Sequence, residues 1–109
     1  MTDRYKEEFP DFKLDVAVPD GFEDVSWHND TCPCFLNREL DVFLFVDYAH
    51  PDTREFPDAD RFTLLEADGG MHVQDPKVYL TTSDWAAVLA AIGEMEPAAV
   101  RKGRPAGNC

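Results

Sequence analysis

His28, Cys32 and Cys34 lie within seven residues of one another and have side chains suited to soft-metal binding or nucleophilic attack. Zinc needs four tetrahedral ligands, and structural sites use Cys pairs with about two to four intervening residues so that both sulfurs reach one ion. Here a single residue separates the two cysteines, no second pair exists, and a fourth ligand would have to come from His50, His72 or Cys109. A thiol nucleophile with His28 as base would also need an orienting group and an oxyanion hole, for which Asn29 and Asp30 are the local sources. Members of such a triad usually converge from different elements. The cluster therefore reads first as small side chains in a turn, and only in the alternative as a metal- or thiol-dependent centre. No catalytic residue, metal or cofactor is assigned from it.

Carboxylates are the other abundant chemistry. Asp52, Glu55, Asp58 and Asp60 fall in a proline-interrupted stretch whose spacing does not match a calcium-binding helix–loop–helix and which has no central glycine. Asp68, Gly69 and Gly70 lack the lysine and following helix of a phosphate-binding loop. What remains is the acidity itself. The chain has 109 residues with 10 Lys and Arg against 22 Asp and Glu, a formal net charge of -12. Residues 1 to 60 hold 5 basic and 16 acidic side chains, while residues 97 to 109 hold three cations and no acid.

Such a surface repels phosphates, which argues against direct contact with nucleic acid or an anionic membrane. It can instead imitate them. Side chains two apart on a strand face are ~6.6–6.8 Å apart, close to the ~6.8 Å of two phosphate steps along a duplex. The candidate partner-binding residues are Asp11, Asp15, Asp20, Glu23 and Asp24 on one stretch and Asp47, Asp52, Glu55, Asp58 and Asp60 on another, with Phe56 among the second set. The expected partner is a protein with a basic surface, such as a nucleic-acid-binding complex. Two competing explanations are an acidic surface that only keeps the domain dissolved, and an accessory domain that meets its partner through apolar Trp27 and Phe56.

These residues must be carried by a small fold. The length fits one domain that buries roughly 60–70% of its unfolded surface, and 44% hydrophobic with 12% aromatic residues is a folded composition. Residues 1–10 read as an N-terminal arm, 11–96 as the domain and 97–109 as a flexible basic tail. Phe12, Leu14, Val16 and Val18 alternate with Lys13, Asp15 and Ala17, which predicts a half-buried strand. A short strand or irregular edge is expected around Asp24 to His28, and another at Phe35 and Leu36. Leu40 to Tyr48 is apolar on both faces in its middle, the pattern of a central strand covered on both sides.

Ala49 to Asp60 reads as a long binding loop or a disordered one. Arg61 to Ala67 and Met71 to Gln74 form a hairpin around the Asp-Gly-Gly turn, and Val78 and Leu80 mark a further strand. Trp85, Val88, Leu89 and Ile92 recur at helical spacing, with an N-cap expected at Thr81 and stop signals at Gly93 and Pro97. The fold class is α+β: a mostly antiparallel sheet of four to six strands with one C-terminal helix packed on it. Its expected core is Phe12, Leu14, Val16, Trp27, Val42, Leu44, Val46, Phe62, Leu64, Val78, Leu80, Trp85, Val88, Leu89 and Ile92. The charged N-terminus, the lack of a long apolar run and an odd set of three cysteines predict a soluble, cytoplasmic protein with reduced thiols.

Gly21 to Asp30, Cys32 to Phe35, Asp47-Tyr48, Arg61-Phe62 and Thr82 to Trp85 together resemble small acidic proteins of bacteria and phages carried on mobile elements, over residues 20 to 93. Many such proteins inhibit host defence, anti-CRISPR proteins included, and some of these mimic DNA. The resemblance brings no catalytic residues. It implies a non-enzymatic inhibitor that docks on a basic partner.

Overall fold

The chain is described over residues 4–101 by a computed structural model. Six strands form one antiparallel sheet: β1 (Phe22–Asp24), β2 (Cys34–Asn37), β3 (Val42–Val46), β4 (Phe62–Asp68), β5 (Met71–His72) and β6 (Val78–Thr82). They run β1-β2-β3-β4 in spatial order, and β4 then pairs with both β5 and β6. The helices are α1 (Arg4–Glu8), α2 (Trp85–Glu94) and α3 (Ala98–Arg101), with a 3-10 turn at Pro51–Thr53. The α+β class, the antiparallel sheet and the C-terminal helix are as the sequence predicts.

The register explains the core. Leu44 of β3 stands between Phe35 of β2 and Leu64 of β4, and Phe43 stands between Leu36 and Leu65. Side chains on a strand alternate, so Val42, Leu44 and Val46 enter the main core with Phe35, Phe62, Leu64 and Val88. Phe43 and Phe45 turn to the opposite face with Cys34, Leu36, Leu65 and Ala67. Val42, Leu44 and Val46 are wholly buried, a contribution of about 1.5–3 kcal/mol each. The two-sided apolar pattern of this strand does mark the centre of the sheet.

Several expectations are corrected. Residues 12–18 form no strand. Their alternation is real, with Phe12, Leu14, Val16 and Val18 packed on the main core, but the segment crosses the sheet face instead of joining its edge. Alternation reports which side chains are buried, not whether the backbone has a ladder partner. Residues 4–9 are docked as well: Tyr5 lies edge-on to Phe12 at 5.9 Å, and Phe9 is buried.

Trp27, Val78 and Leu89, expected in the core, are exposed. Ser26 holds the buried position next to Trp27, with its hydroxyl accepting the Cys34 N–H at 3.1 Å. An extra residue in β6 opposite Leu64 and Leu65 shifts the phase, so that Tyr79 and Leu80 pack inward and Val78 outward. On α2 only Val88 is fully buried.

The helix cap also moves. Thr81 and Thr82 are still paired with Thr63 and Phe62, so α2 begins after Asp84, whose carboxylate accepts the Ala86 N–H at 3.1 Å. The short strand expected around Asp24 to His28 lies at Phe22–Asp24 instead, and the β4–β5 hairpin forms at the expected turn with β5 ending at His72 rather than Gln74. Gly69 and Gly70 have φ of 59° and 82°, the left-handed geometry that glycine tolerates. Lys102, Arg104 and Cys109 of the expected tail lie outside the described residues.

Candidate functional site

The loop from Ala49 to Asp60 is ordered by its one arginine. Arg54 donates from Nε to the Tyr48 carbonyl at 2.7 Å, from Nη2 to Ala49 at 3.0 Å and from Nη1 to Ala59 at 3.2 Å. A single guanidinium thus gathers carbonyls from both ends of the loop. His50 caps the 3-10 turn by accepting the Asp52 N–H at Nδ1, 3.2 Å away. With Arg54 directed at backbone, Asp52, Glu55 and Asp58 stand exposed with no Lys or Arg ion pair among the described residues.

The two acidic stretches meet at the root of this loop. Tyr48 donates its hydroxyl to Asp11 at 2.9 Å, and Arg61 forms a two-pronged ion pair with Asp15. Arg61 also donates from Nε to the Asp47 carbonyl at 2.9 Å. Asp60 accepts hydrogen bonds from Thr81 and Ser83. Pairing with Arg61 lowers the Asp15 carboxyl below its ordinary range, while burial and the Asp11 carboxylate push the Tyr48 phenol up to about 12.

The remaining carboxylates of the first stretch lie elsewhere. Glu23 pairs with Arg38 at 2.5 Å. Asp24 accepts the N–H groups of Tyr5 at 2.7 Å and Ser26 at 3.0 Å, and Asp20 is exposed on the loop before β1. The structure therefore brings Asp11 and Asp15 to Asp47, Asp60 and the loop, and leaves Asp20, Glu23 and Asp24 beside α1 and the β1 edge.

Asp47 differs from the others because it is only 9% exposed. Burial raises its carboxyl above the ordinary aspartate range, against the opposing effects of the Tyr48 N–H and the nearby Arg54 and Arg61. It lines a cleft of about 250 Å³ at the root of the loop, together with Thr31, Cys32, Phe45, Phe56, Ala59, Asp60, Arg61 and Thr63. Phe56, 59% exposed, stands at this cleft.

His28, Cys32 and Cys34 do not assemble. His28 is exposed and its Nδ1 lies 2.8 Å from Glu8, whereas both cysteines are buried free thiols. Burial pushes the Cys32 thiol up to about 12 and the Cys34 thiol higher still, with the Asp30 charge adding to both. A nucleophilic cysteine needs the opposite shift. Among the described residues, no group of three His, Cys, Asp or Glu side chains is placed to hold a metal ion.

Sequence reasoning misses Arg54 and Arg61, the two cations that organise the site. Their signal was their isolation, since they are the only Lys or Arg residues between Arg38 and Lys77. The fold and site define an antiparallel α+β domain that presents an ordered acidic loop with one exposed aromatic residue. No family model matches the chain, and no curated protein or solved structure matches it either.

Proposed function

We propose that this protein is a non-enzymatic binding protein that docks the acidic loop face onto a basic surface of a protein partner, one that otherwise holds nucleic acid, and thereby inhibits it. The observation that carries this reading is the use of Arg54: the one arginine of the loop bonds three backbone carbonyls and leaves Asp52, Glu55 and Asp58 outward. Loop ordering precedes binding, so its entropic cost does not fall on the complex. Asp11 and Asp60 extend the same acidic surface, and Phe56 adds an apolar contact within it. Carboxylates arranged in this way attract the Lys and Arg that would neutralise phosphates.

Among the described residues no helix is long and apolar enough to cross a membrane. A cytoplasmic location accords with the docking reading and with free thiols at Cys32 and Cys34.

The test is capture on the immobilised full chain from a lysate of the encoding organism, with stepwise salt elution and then a competition assay. The captured protein is expected to elute as salt rises and to bind duplex DNA or RNA. The free chain should displace that nucleic acid, and the Asp52→Asn, Glu55→Gln, Asp58→Asn variant should fail to do so. A captured partner that is retained at high salt, or whose nucleic acid the chain does not displace, contradicts the reading.

A further inference from the structure

The cleft at the root of the acidic loop has about 250 Å³ of space. Sites for drug-sized ligands and cofactors run to about 300–1,000 Å³, so this one suits a single extended side chain better than a free cofactor. Its wall includes a carboxylate with a single protein donor among the described residues. Asp47 is 9% exposed, and its carboxylate takes one hydrogen bond among the described residues, from the Tyr48 N–H to Oδ1 at 2.8 Å. An ionised carboxylate has room for about four, and the second oxygen of Asp47 is not sealed off by protein, so it is open to a donor that enters the cleft. The two nearest cations do not supply the missing donor. Arg54 bonds Tyr48, Ala49 and Ala59 carbonyls, and Arg61 bonds the Asp47 carbonyl and Asp15.

Two further features fix the chemistry of what fits. Phe56 lines the cleft with a ring that is mostly exposed, and a guanidinium is attracted to such a ring face. The charged wall of the cleft is acidic on balance, with Asp47 and Asp60 lining it against the one cation Arg61. Arg61 does not reverse this, because its charge is paired with Asp15.

We infer that this cleft receives one arginine side chain of the docking partner, with its guanidinium on Asp47 and its flat face against Phe56. The inference rests on the docking reading and specifies its anchor. Arginine is favoured over lysine because its planar fork both bonds a carboxylate in two places and stacks on an aromatic ring. Burial of such an anchor in a desolvated pocket is where binding energy concentrates, while the exposed loop carboxylates steer the approach.

The probe is N-acetyl-arginine methylamide, titrated into the full chain and followed by backbone amide NMR shifts. Saturable shifts are expected at Thr31, Cys32, Asp47, Phe56 and Arg61. The uncharged citrulline counterpart should give none, and the lysine counterpart should bind more weakly. Asp47→Asn keeps an acceptor for the Tyr48 N–H and should weaken binding roughly tenfold. Phe56→Ala changes only an exposed side chain and should weaken it roughly threefold, which keeps the test decisive if the first variant does not fold. Absence of saturable shifts, or shifts unchanged in both variants, overturns the inference. Binding of an oligo-arginine peptide separates the two levels. If that binding depends on Asp52, Glu55 and Asp58 but not on Asp47 or Phe56, the cleft inference falls and docking stands. If it is indifferent to the loop carboxylates, the docking reading falls.

Discussion

Asp47 is a carboxylate held where burial opposes its charge. Its folded-state carboxyl titrates above the ordinary aspartate value because burial disfavours the charged form. The folded state therefore binds its proton more tightly than the unfolded state, and stability falls as pH rises from the ordinary value through the raised one. Above both values the loss is complete, and below both it is absent. Asp47→Asn is thus expected to be at least as stable as the native chain at neutral pH, with the difference vanishing in acid. Thermal unfolding of both proteins across that range checks this. At the same scale, Cys32 and Cys34 should resist iodoacetamide in the folded protein at mildly alkaline pH and react on unfolding, because burial holds both thiols well above that pH. Peptide mapping of the alkylated sites reads the result.

Among the elements, one hairpin depends on a polar side chain remote in sequence and one loop on a side chain of its own. Asp41, itself at φ 56°, accepts the N–H groups of Gly69 at 2.8 Å and Gly70 at 2.9 Å, which ties the β2–β3 turn to the β4–β5 hairpin. Asp41→Ala loses both acceptors and places alanine in left-handed backbone, so it should cost about 2–4 kcal/mol in urea unfolding. Arg54→Lys should leave global stability nearly unchanged and speed amide hydrogen exchange over residues 49–60, because one ammonium cannot bridge three carbonyls as a guanidinium does.

Elements whose apolar pattern decides their environment were legible in the sequence. β3 is central because Val42, Leu44 and Val46 and then Phe43 and Phe45 demand cover on both faces, and the Asp-Gly-Gly turn dictates its hairpin. The path of residues 12–18 was not legible, since the same alternation serves a ladder strand and a segment lying across a sheet face. Nor was the phase of β6, where one extra residue exchanges Val78 for Tyr79. At the site, the acidic residues could be named from the sequence. Their meeting at Tyr48 and Arg61, and the burial that distinguishes Asp47 from its neighbours, depend on contacts between distant segments.

Over the whole molecule, a net charge of -12 on 109 residues resolves into carboxylates with different duties. Asp24, Asp41 and Asp84 cap backbone N–H groups, Asp15 and Glu23 pair with arginines, and Asp52, Glu55 and Asp58 are left to the surface of an ordered loop. If docking reads bulk charge, any three carboxylates are equivalent. If it reads this loop, they are not. The decisive measurement compares two variants of equal net charge, Asp52→Asn, Glu55→Gln, Asp58→Asn in the loop and Asp68→Asn, Glu94→Gln, Glu96→Gln outside it, in their affinity for an oligo-arginine peptide across a range of salt. The account predicts that neutralising the loop weakens binding and flattens its salt dependence, while the control variant stays close to the native chain. Equal losses in the two variants would contradict it.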